Sequence, residues 1–224
     1  MTLKQRNLLI AVLAIILIAG GIFYYNNRNR EVSSNDLTTE PPGNPNETPS
    51  GSPLTGGGGE TVEESAQNKE KWNTAMKNAG IAFGKGDYDR AITFYNEALS
   101  YYKTDEPYSG LFLAYSAQNN AEQARIAIEV AIKLNPLFVE HWKSKLSLLD
   151  EKTNVSFADL KKIYQEGILK VDPRTKVNLV IYFAAMAERN GEKAEAIALW
   201  EYAKELYPPN TLIYQAQIDR LAAS

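Results

Sequence analysis

Residues 86–98 read GDYDRAITFYNEA, and two later segments follow the same pattern: NNAEQARIAIEVA at 119–131 and GEKAEAIALWEYA at 191–203. In each segment a small residue is followed four positions later by a large one, and a second small residue comes three positions after that. This spacing puts the three side chains on one helix face, where alanines allow a neighbouring helix to approach closely. We therefore predict that helix pairs pack through these residues: Ala91, Tyr95 and Ala98; Ala124, Ile128 and Ala131; Ala196, Trp200 and Ala203.

Glycines, prolines and capping residues divide the rest of the sequence after residue 61 into further helices. The run Gly84-Lys-Gly-Asp87 predicts the end of one helix and the N-cap of the next. A proline follows two of the repeated segments, at Pro136 and Pro208. A less regular unit covers 137–173; its apolar positions are Trp142, Leu146 and Leu149 on a first helix and Leu160, Tyr164 and Gly167 on a second.

This organisation resembles the tetratricopeptide repeat (TPR), in which a helix pair recurs about every 34 residues and the second helix carries an A-x3-F motif followed by a proline. Successive second helices, marked by Ala91, Ala124, Leu160 and Ala196, begin 33, 36 and 36 residues apart. The resemblance implies an all-α solenoid over residues 61–224, with about four helix pairs and a capping helix that starts after Pro209.

In the TPR family the first helices line a concave groove that holds peptides or partner helices. The resemblance therefore implies a protein or peptide partner bound in this groove. Transferring the family's register gives six candidate binding residues: Met76, Phe83, Leu113, Lys143, Ile181 and Glu188. Family members that clamp a C-terminal carboxylate use Lys and Asn in the first repeat, where this chain has Met76 and Gly80, which argues against a carboxylate clamp.

Residues 8–25, LLIAVLAIILIAGGIFYY, carry no charged side chain and follow a short tail at 1–7. Eighteen helical residues span about 27 Å, close to the roughly 30 Å of a bilayer's hydrocarbon core. We predict a transmembrane helix. Lys4 and Arg6 before the run also fit a cleaved signal peptide, although the apolar run continues past the plausible cleavage point.

The predicted topology is a signal-anchor in the cell membrane, single-pass, with a cytoplasmic N-terminus and an extracytoplasmic C-terminal domain. Basic residues on the two flanks are nearly balanced, but a short head followed by a long C-terminal domain favours this orientation. Residues 26–60 contain five prolines and the run Gly56–Gly59. They are predicted to form a disordered linker with a root-mean-square reach of about 33 Å.

Catalysis, cofactors and nucleic acid are not expected. The chain has no cysteine and one histidine, His141, which is predicted to be a surface or groove residue. Neighbouring carboxylates such as Asp150 and Glu151 are expected in first turns or loops. No metal site is predicted. Basic and acidic residues alternate along the helices, so the chain lacks the basic stripe of a nucleic-acid-binding protein.

These features favour a membrane-anchored protein-interaction scaffold that assists an envelope, secretion or division complex. Two alternatives stay open. The domain could face the cytosol as a receptor or adaptor, or its repeats could stack into a self-assembling structural module.

Overall fold

The structure, a computed structural model, describes residues 62–152 and 155–223. The tail 1–7, the segment 8–25 predicted to cross a membrane and the linker 26–60 lie outside these residues. Among the helices of the described ranges, none combines the length and apolar character needed to cross a bilayer. The helices are α1 (Val62–Gly84), α2 (Tyr88–Tyr101), α3 (Asp105–Ala117), α4 (Ala121–Leu134), α5 (Val139–Lys152), α6 (Phe157–Lys170), α7 (Lys176–Arg189), α8 (Lys193–Leu206) and α9 (Thr211–Ala223).

The turns between helices are set by local capping chemistry. The Asp87 side chain accepts a hydrogen bond from the backbone N–H of Arg90 at 3.2 Å, which confirms the predicted N-cap of α2. Asn120 caps α4 in the same way. The residue before the N-cap in three of the turns has a positive φ: Gly86 at 78°, Asn119 at 58° and Gly191 at 78°. Glycine and asparagine tolerate this left-handed conformation, so these short turns can reverse the chain.

Each helix packs against its successor, which gives four pairs: α1 with α2, α3 with α4, α5 with α6, and α7 with α8. We call these pairs repeats 1 to 4. The final helix, α9, packs on α8 and buries Tyr214, Ile218 and Leu221. The predicted all-α fold of paired helices with a last helix is therefore confirmed for the described residues.

The core runs through every repeat and is lined by the small and large residues of the repeated segments. The six alanines of these segments, from Ala91 to Ala203, are each 0% exposed, while Tyr95, Ile128 and Trp200 are 7%, 1% and 7% exposed. Glycine permits two further close approaches. Gly110 lies against the ring of Tyr95, and a Cβ on Gly167 would lie 2.8 Å from two ring atoms of Trp142.

Two details of repeat 3 differ from the prediction. His141 is 2% exposed, so its assignment to the surface or the groove was wrong; the imidazole is buried because hydrogen-bond partners on α3 reach both of its nitrogens. Helix α5 continues to Lys152, so Asp150 and Glu151 lie in its last turn and not in a first turn or loop. Contacts from repeat 4 hold Asp150 there, since it accepts hydrogen bonds from Arg189 and Asn190.

Candidate binding face

The candidate face is formed by the first helices of the repeats, α1, α3, α5 and α7. Helix α1 contacts α3, and α5 contacts α7, so these helices lie side by side. The structure places all six predicted groove residues on them, and all six are half-buried: Met76, Phe83, Leu113, Lys143, Ile181 and Glu188. The four apolar members pack partly against the core and keep part of their surface accessible.

Repeats 1 and 2 supply the apolar part of the face, through Met76, Phe83 and Leu113. The ring of Phe83 also contacts that of Tyr88 at the start of α2, with 5.5 Å between the centroids. Gly80 lies on the same helix, and a Cβ added there would meet nothing within 4 Å. This part of α1 therefore leaves open space next to apolar side chains.

Polar atoms without partners accompany this apolar part. Within the described residues, three buried side-chain atoms of α1 and α3 make no hydrogen bond: Trp72 Nε1, Glu106 Oε2 and Ser116 Oγ. Buried polar atoms are nearly always satisfied, so each such atom requires an explanation. All three atoms are buried, so a docked partner would not reach them in this arrangement of side chains.

Lys143 in repeat 3 is already engaged inside the protein. Its ammonium lies 2.9 Å from Glu140 Oε1 and 5.5 Å from the ring centroid of Tyr182 on α7. These contacts join repeat 3 to repeat 4 and neutralise part of the charge. A ligand at this position would meet a lysine that is already paired with Glu140. The sequence pattern did not predict this ion pair.

Glu188 is also engaged, because it accepts hydrogen bonds from Trp200 Nε1 at 2.8 Å and from Arg220 at 2.6 Å. Burial alone would raise the pKa of Glu188, but the hydrogen bonds from Arg220 and Trp200 outweigh this effect and lower the pKa. The carboxylate therefore ties α7 to α8 and α9.

A polar cluster around the buried His141, which we call the polar joint, connects repeat 2 to repeat 3. It consists of Asp105, Ser109, Asn135 and His141. The His141 Nε2 lies 2.9 Å from Asp105 Oδ2, and its Nδ1 lies 3.2 Å from Ser109 Oγ. Asn135 donates a second hydrogen bond to Asp105 Oδ2 at 2.9 Å.

The chemistry of Asp105 assigns the role of one imidazole nitrogen. An ionised Asp105 only accepts, so Nε2 carries a proton and donates to it, while the Ser109 hydroxyl, which can donate or accept, is the partner of Nδ1. Burial would raise the pKa of Asp105, but the hydrogen bonds from His141 and Asn135 keep it below its ordinary value. Both imidazole nitrogens of His141, the Asn135 side-chain amide and Asp105 Oδ2 therefore each have a hydrogen-bond partner.

Sequence reasoning missed the polar joint, although two signals point to it. Asp105 and Ser109 are four residues apart and therefore share one face of α3. His141 follows Asp105 by 36 residues, two more than the 34 that separate the starts of α3 and α5, so both residues lie in the first turn of their helices. A histidine one repeat after an aspartate on a first helix is the pattern to look for.

Comparison with known proteins shows the fold. A solved structure from the functional characterization of PilF of Pseudomonas aeruginosa is similar to this chain, with a TM-score of 0.52 and 12% sequence identity over 68% of this chain and 69% of that one. Identity this low shows the fold alone. No protein-family model matches the chain, and no curated protein is similar to it in sequence. The described residues form a TPR-like helical fold.

Proposed function

We propose that this protein is a membrane-anchored scaffold that binds a protein or peptide partner on the first-helix face of repeats 1 and 2. The observation that carries the proposal is the accessible apolar surface of these two first helices. Met76, Phe83 and Leu113 are half-buried there, and Gly80 leaves open space on the same helix as Met76 and Phe83. Accessible apolar surface of this kind is typical of a recognition site.

The location of the partner depends on the N-terminal segment. We propose that residues 8–25 anchor the chain in a cell membrane and that the linker 26–60 presents the domain on the extracytoplasmic face. There the scaffold would assist an envelope, secretion or division complex. The apolar length of the segment and its short basic head support this placement.

Site-specific photo-crosslinking of the full chain in its native membrane tests the binding face. A photoreactive residue at Leu113 should capture a partner, and one at Ile126, which is 42% exposed on α4, should not. Leu113→Glu combined with Met76→Glu should abolish capture while the helical circular dichroism is retained. Equal capture from Leu113 and Ile126, or capture that survives both glutamates, would move the partner to another face.

Protease protection on intact cells tests the proposed topology. Cleavage within 26–60 by an external protease is expected for an extracytoplasmic domain. Cleavage only after membrane lysis would make a cytosol-facing receptor or adaptor the leading function.

One observation favours self-assembly as a second candidate. The last helix exposes Leu212 and Ile213, with 86% and 59% of their surface accessible, and Tyr207 nearby is 46% exposed. Exposed apolar residues at the end of a repeat array can stack against another copy. Sedimentation of residues 58–224 at high concentration distinguishes the two functions, because a strict monomer excludes stacking and a dimer that Leu212→Glu dissociates supports it.

A further inference from the structure

The loops that join consecutive repeats lie along one edge of the solenoid, which we call the inter-repeat edge. It comprises the loops at 102–104, 135–138 and 171–175. Hydrogen bonds connect these loops in series. Asn135 donates to Asp105, the first residue of α3, at 2.9 Å, and the backbone N–H of Asp172 donates to the Leu137 carbonyl at 3.0 Å. The loops therefore form one continuous row.

The chain enters the solenoid at this same edge. The Tyr102 hydroxyl donates a hydrogen bond to the Ser65 carbonyl at 2.8 Å, so the first turn of α1 lies beside the loop that follows α2. The residues before α1 include the linker 26–60 and the segment 8–25, for which we propose a membrane anchor. The linker leads into the inter-repeat edge, and its reach of about 33 Å keeps this edge near the bilayer.

Exposed leucines distinguish the inter-repeat edge from the opposite one. Leu137 lies within a loop and is 57% exposed, and Leu169, the second-last residue of α6, is 83% exposed. Leu134, which ends α4, is also exposed. On the opposite edge, the turns inside repeats 1, 2 and 4 consist only of glycine and polar or charged residues: 85–87, 118–120 and 190–192. The inter-repeat edge therefore has apolar surface to bury, and those turns have none.

The charged side chains next to these leucines suit an anionic surface. The neighbouring carboxylates are already in ion pairs, at 2.7 and 2.6 Å: Asp172 with Arg174, and Glu166 with Lys170. Lys103 and Lys133 are exposed and make no ion pair within residues 62–152 and 155–223. Apolar side chains flanked by free basic ones are the usual composition of a surface that lies on a membrane with anionic lipids.

We propose that the inter-repeat edge lies on the anionic surface of the membrane that anchors the chain. Leu134, Leu137 and Leu169 insert among the lipid headgroups, and Lys103 and Lys133 pair with anionic ones. This inference rests on the proposed membrane anchor. The helices run from this edge to the opposite one, about 21 Å away for 14 residues. The candidate binding face of the first helices then stands upright on the bilayer and stays open to a partner.

Fluorescence quenching on the full chain in nanodiscs of phosphatidylcholine and phosphatidylglycerol tests this contact. Because the chain has no cysteine, one introduced cysteine can carry the fluorophore NBD. NBD at Leu137→Cys or Leu169→Cys should lose about half of its emission when the lipid is spin-labelled near the headgroup. Ile81→Cys is the matched control, 47% exposed near the opposite edge, and its NBD should lose less than about a tenth.

Second substitutions identify the groups that make the contact. With NBD at position 137, Leu169→Glu should reduce the quenching at least about twofold, because a carboxylate replaces an apolar group at the headgroups. Ile126→Glu adds the same charge in the middle of α4 and should leave the quenching unchanged. Lys133→Glu should also reduce the quenching, and this effect should disappear in nanodiscs of phosphatidylcholine alone.

Co-elution of the chain with the nanodiscs reports on the anchor separately. Co-elution without quenching at positions 137 and 169 would leave the anchor in place and overturn the inference. Blue-shifted NBD emission without quenching would also overturn it, because the leucines would then contact protein, such as a second copy of the chain. Equal quenching at positions 137 and 81 would mean that the domain has no preferred edge on the bilayer. A chain that does not co-elute would lose the proposed anchor, and the inference would fail with it.

Discussion

Besides the apolar core that runs through every repeat, repeat 3 meets its two neighbours through two different clusters. The polar joint connects it to repeat 2 through the hydrogen bonds between His141 and Asp105. On its other side, Phe183 of α7 stacks on Phe157 and Tyr164 of α6, with ring centroids 5.3 and 4.4 Å apart. We call this second contact the aromatic joint. One side of repeat 3 thus adds a hydrogen-bonded cluster to the shared apolar core, and the other side adds stacked aromatic rings.

The two joints should respond differently to substitution and to pH. Apolar burial is non-directional and scales with the area removed from water, so its loss is large and nearly independent of pH. A hydrogen-bonded cluster contributes less net free energy, but it fixes the register of the helices and depends on protonation. Substitutions in and around the two joints should separate these two behaviours.

The largest effect is expected from Phe183→Ala in the aromatic joint. Phe183 is 0% exposed, and its truncation leaves a cavity between α6 and α7. We expect a loss of about 3–5 kcal/mol in the free energy of unfolding, measured by urea denaturation of residues 58–224, which form one compact unit. Leu212→Ala, at a side chain that is 86% exposed, is the control and should change it by less than about 0.5 kcal/mol. A loss below about 1 kcal/mol for Phe183→Ala would show that this joint is not held by burial.

A smaller effect is expected from Gly167→Ala, which tests the packing inside repeat 3 between the two joints. The added Cβ would lie 2.8 Å from the ring of Trp142, which is 1% exposed and fixed by its hydrogen bond to Pro136. We expect overpacking to lower the free energy of unfolding by about 1–3 kcal/mol. Thermal unfolding followed by circular dichroism measures it.

Gly80→Ala is the matched control for this substitution. It also lies inside a helix, but its added Cβ meets nothing within 4 Å. The higher helix propensity of alanine then dominates, and we expect the free energy of unfolding to rise by about 0.5–1 kcal/mol. A gain at both positions would mean that Trp142 moves easily and that repeat 3 is loosely packed.

Asp105→Asn tests the polar joint and its dependence on pH. The substitution keeps the shape of the side chain but removes the charge that accepts from His141 and Asn135. We expect the free energy of unfolding at pH 7 to fall by about 1–2 kcal/mol. Because the folded protein lowers the pKa of Asp105, its contribution to stability is complete above the unfolded pKa and is lost as the pH falls through the folded pKa.

The difference between the wild type and Asp105→Asn should therefore shrink as the pH falls below about 4. Urea denaturation at several pH values measures it, with Asp219→Asn on the exposed side of α9 as the control. A difference that stays constant down to pH 2 would mean that the joint depends on shape and not on charge.

The two joints also differ in how far the sequence predicts them. The repeated spacing of Ala91, Tyr95 and Ala98 predicts the helix pairs, because residues on one face of a helix recur at the helical period within a short stretch of sequence. Partners from other helices are not encoded in this way. His141 depends on a residue 36 positions earlier, and Glu188 on Arg220, 32 positions later. The groove residues stay a prediction, and the structure adds the internal partners of Lys143 and Glu188.

The smallest effect is expected from Glu188→Gln, which asks whether a polar contact at a more exposed place behaves like the polar joint. Glutamine keeps an acceptor for the Trp200 N–H and loses the ion pair with Arg220, whose side chain is 54% exposed. Solvent screens such a pair, so we expect a loss of no more than about 1 kcal/mol that decreases with added salt. A double-mutant cycle with Arg220→Gln, measured by urea denaturation at low and high salt, isolates the pair. A coupling free energy above about 2 kcal/mol between Glu188 and Arg220 would mean that α7 and α9 form a second polar joint. In that case, the strength of a polar contact in this fold would not depend on its burial.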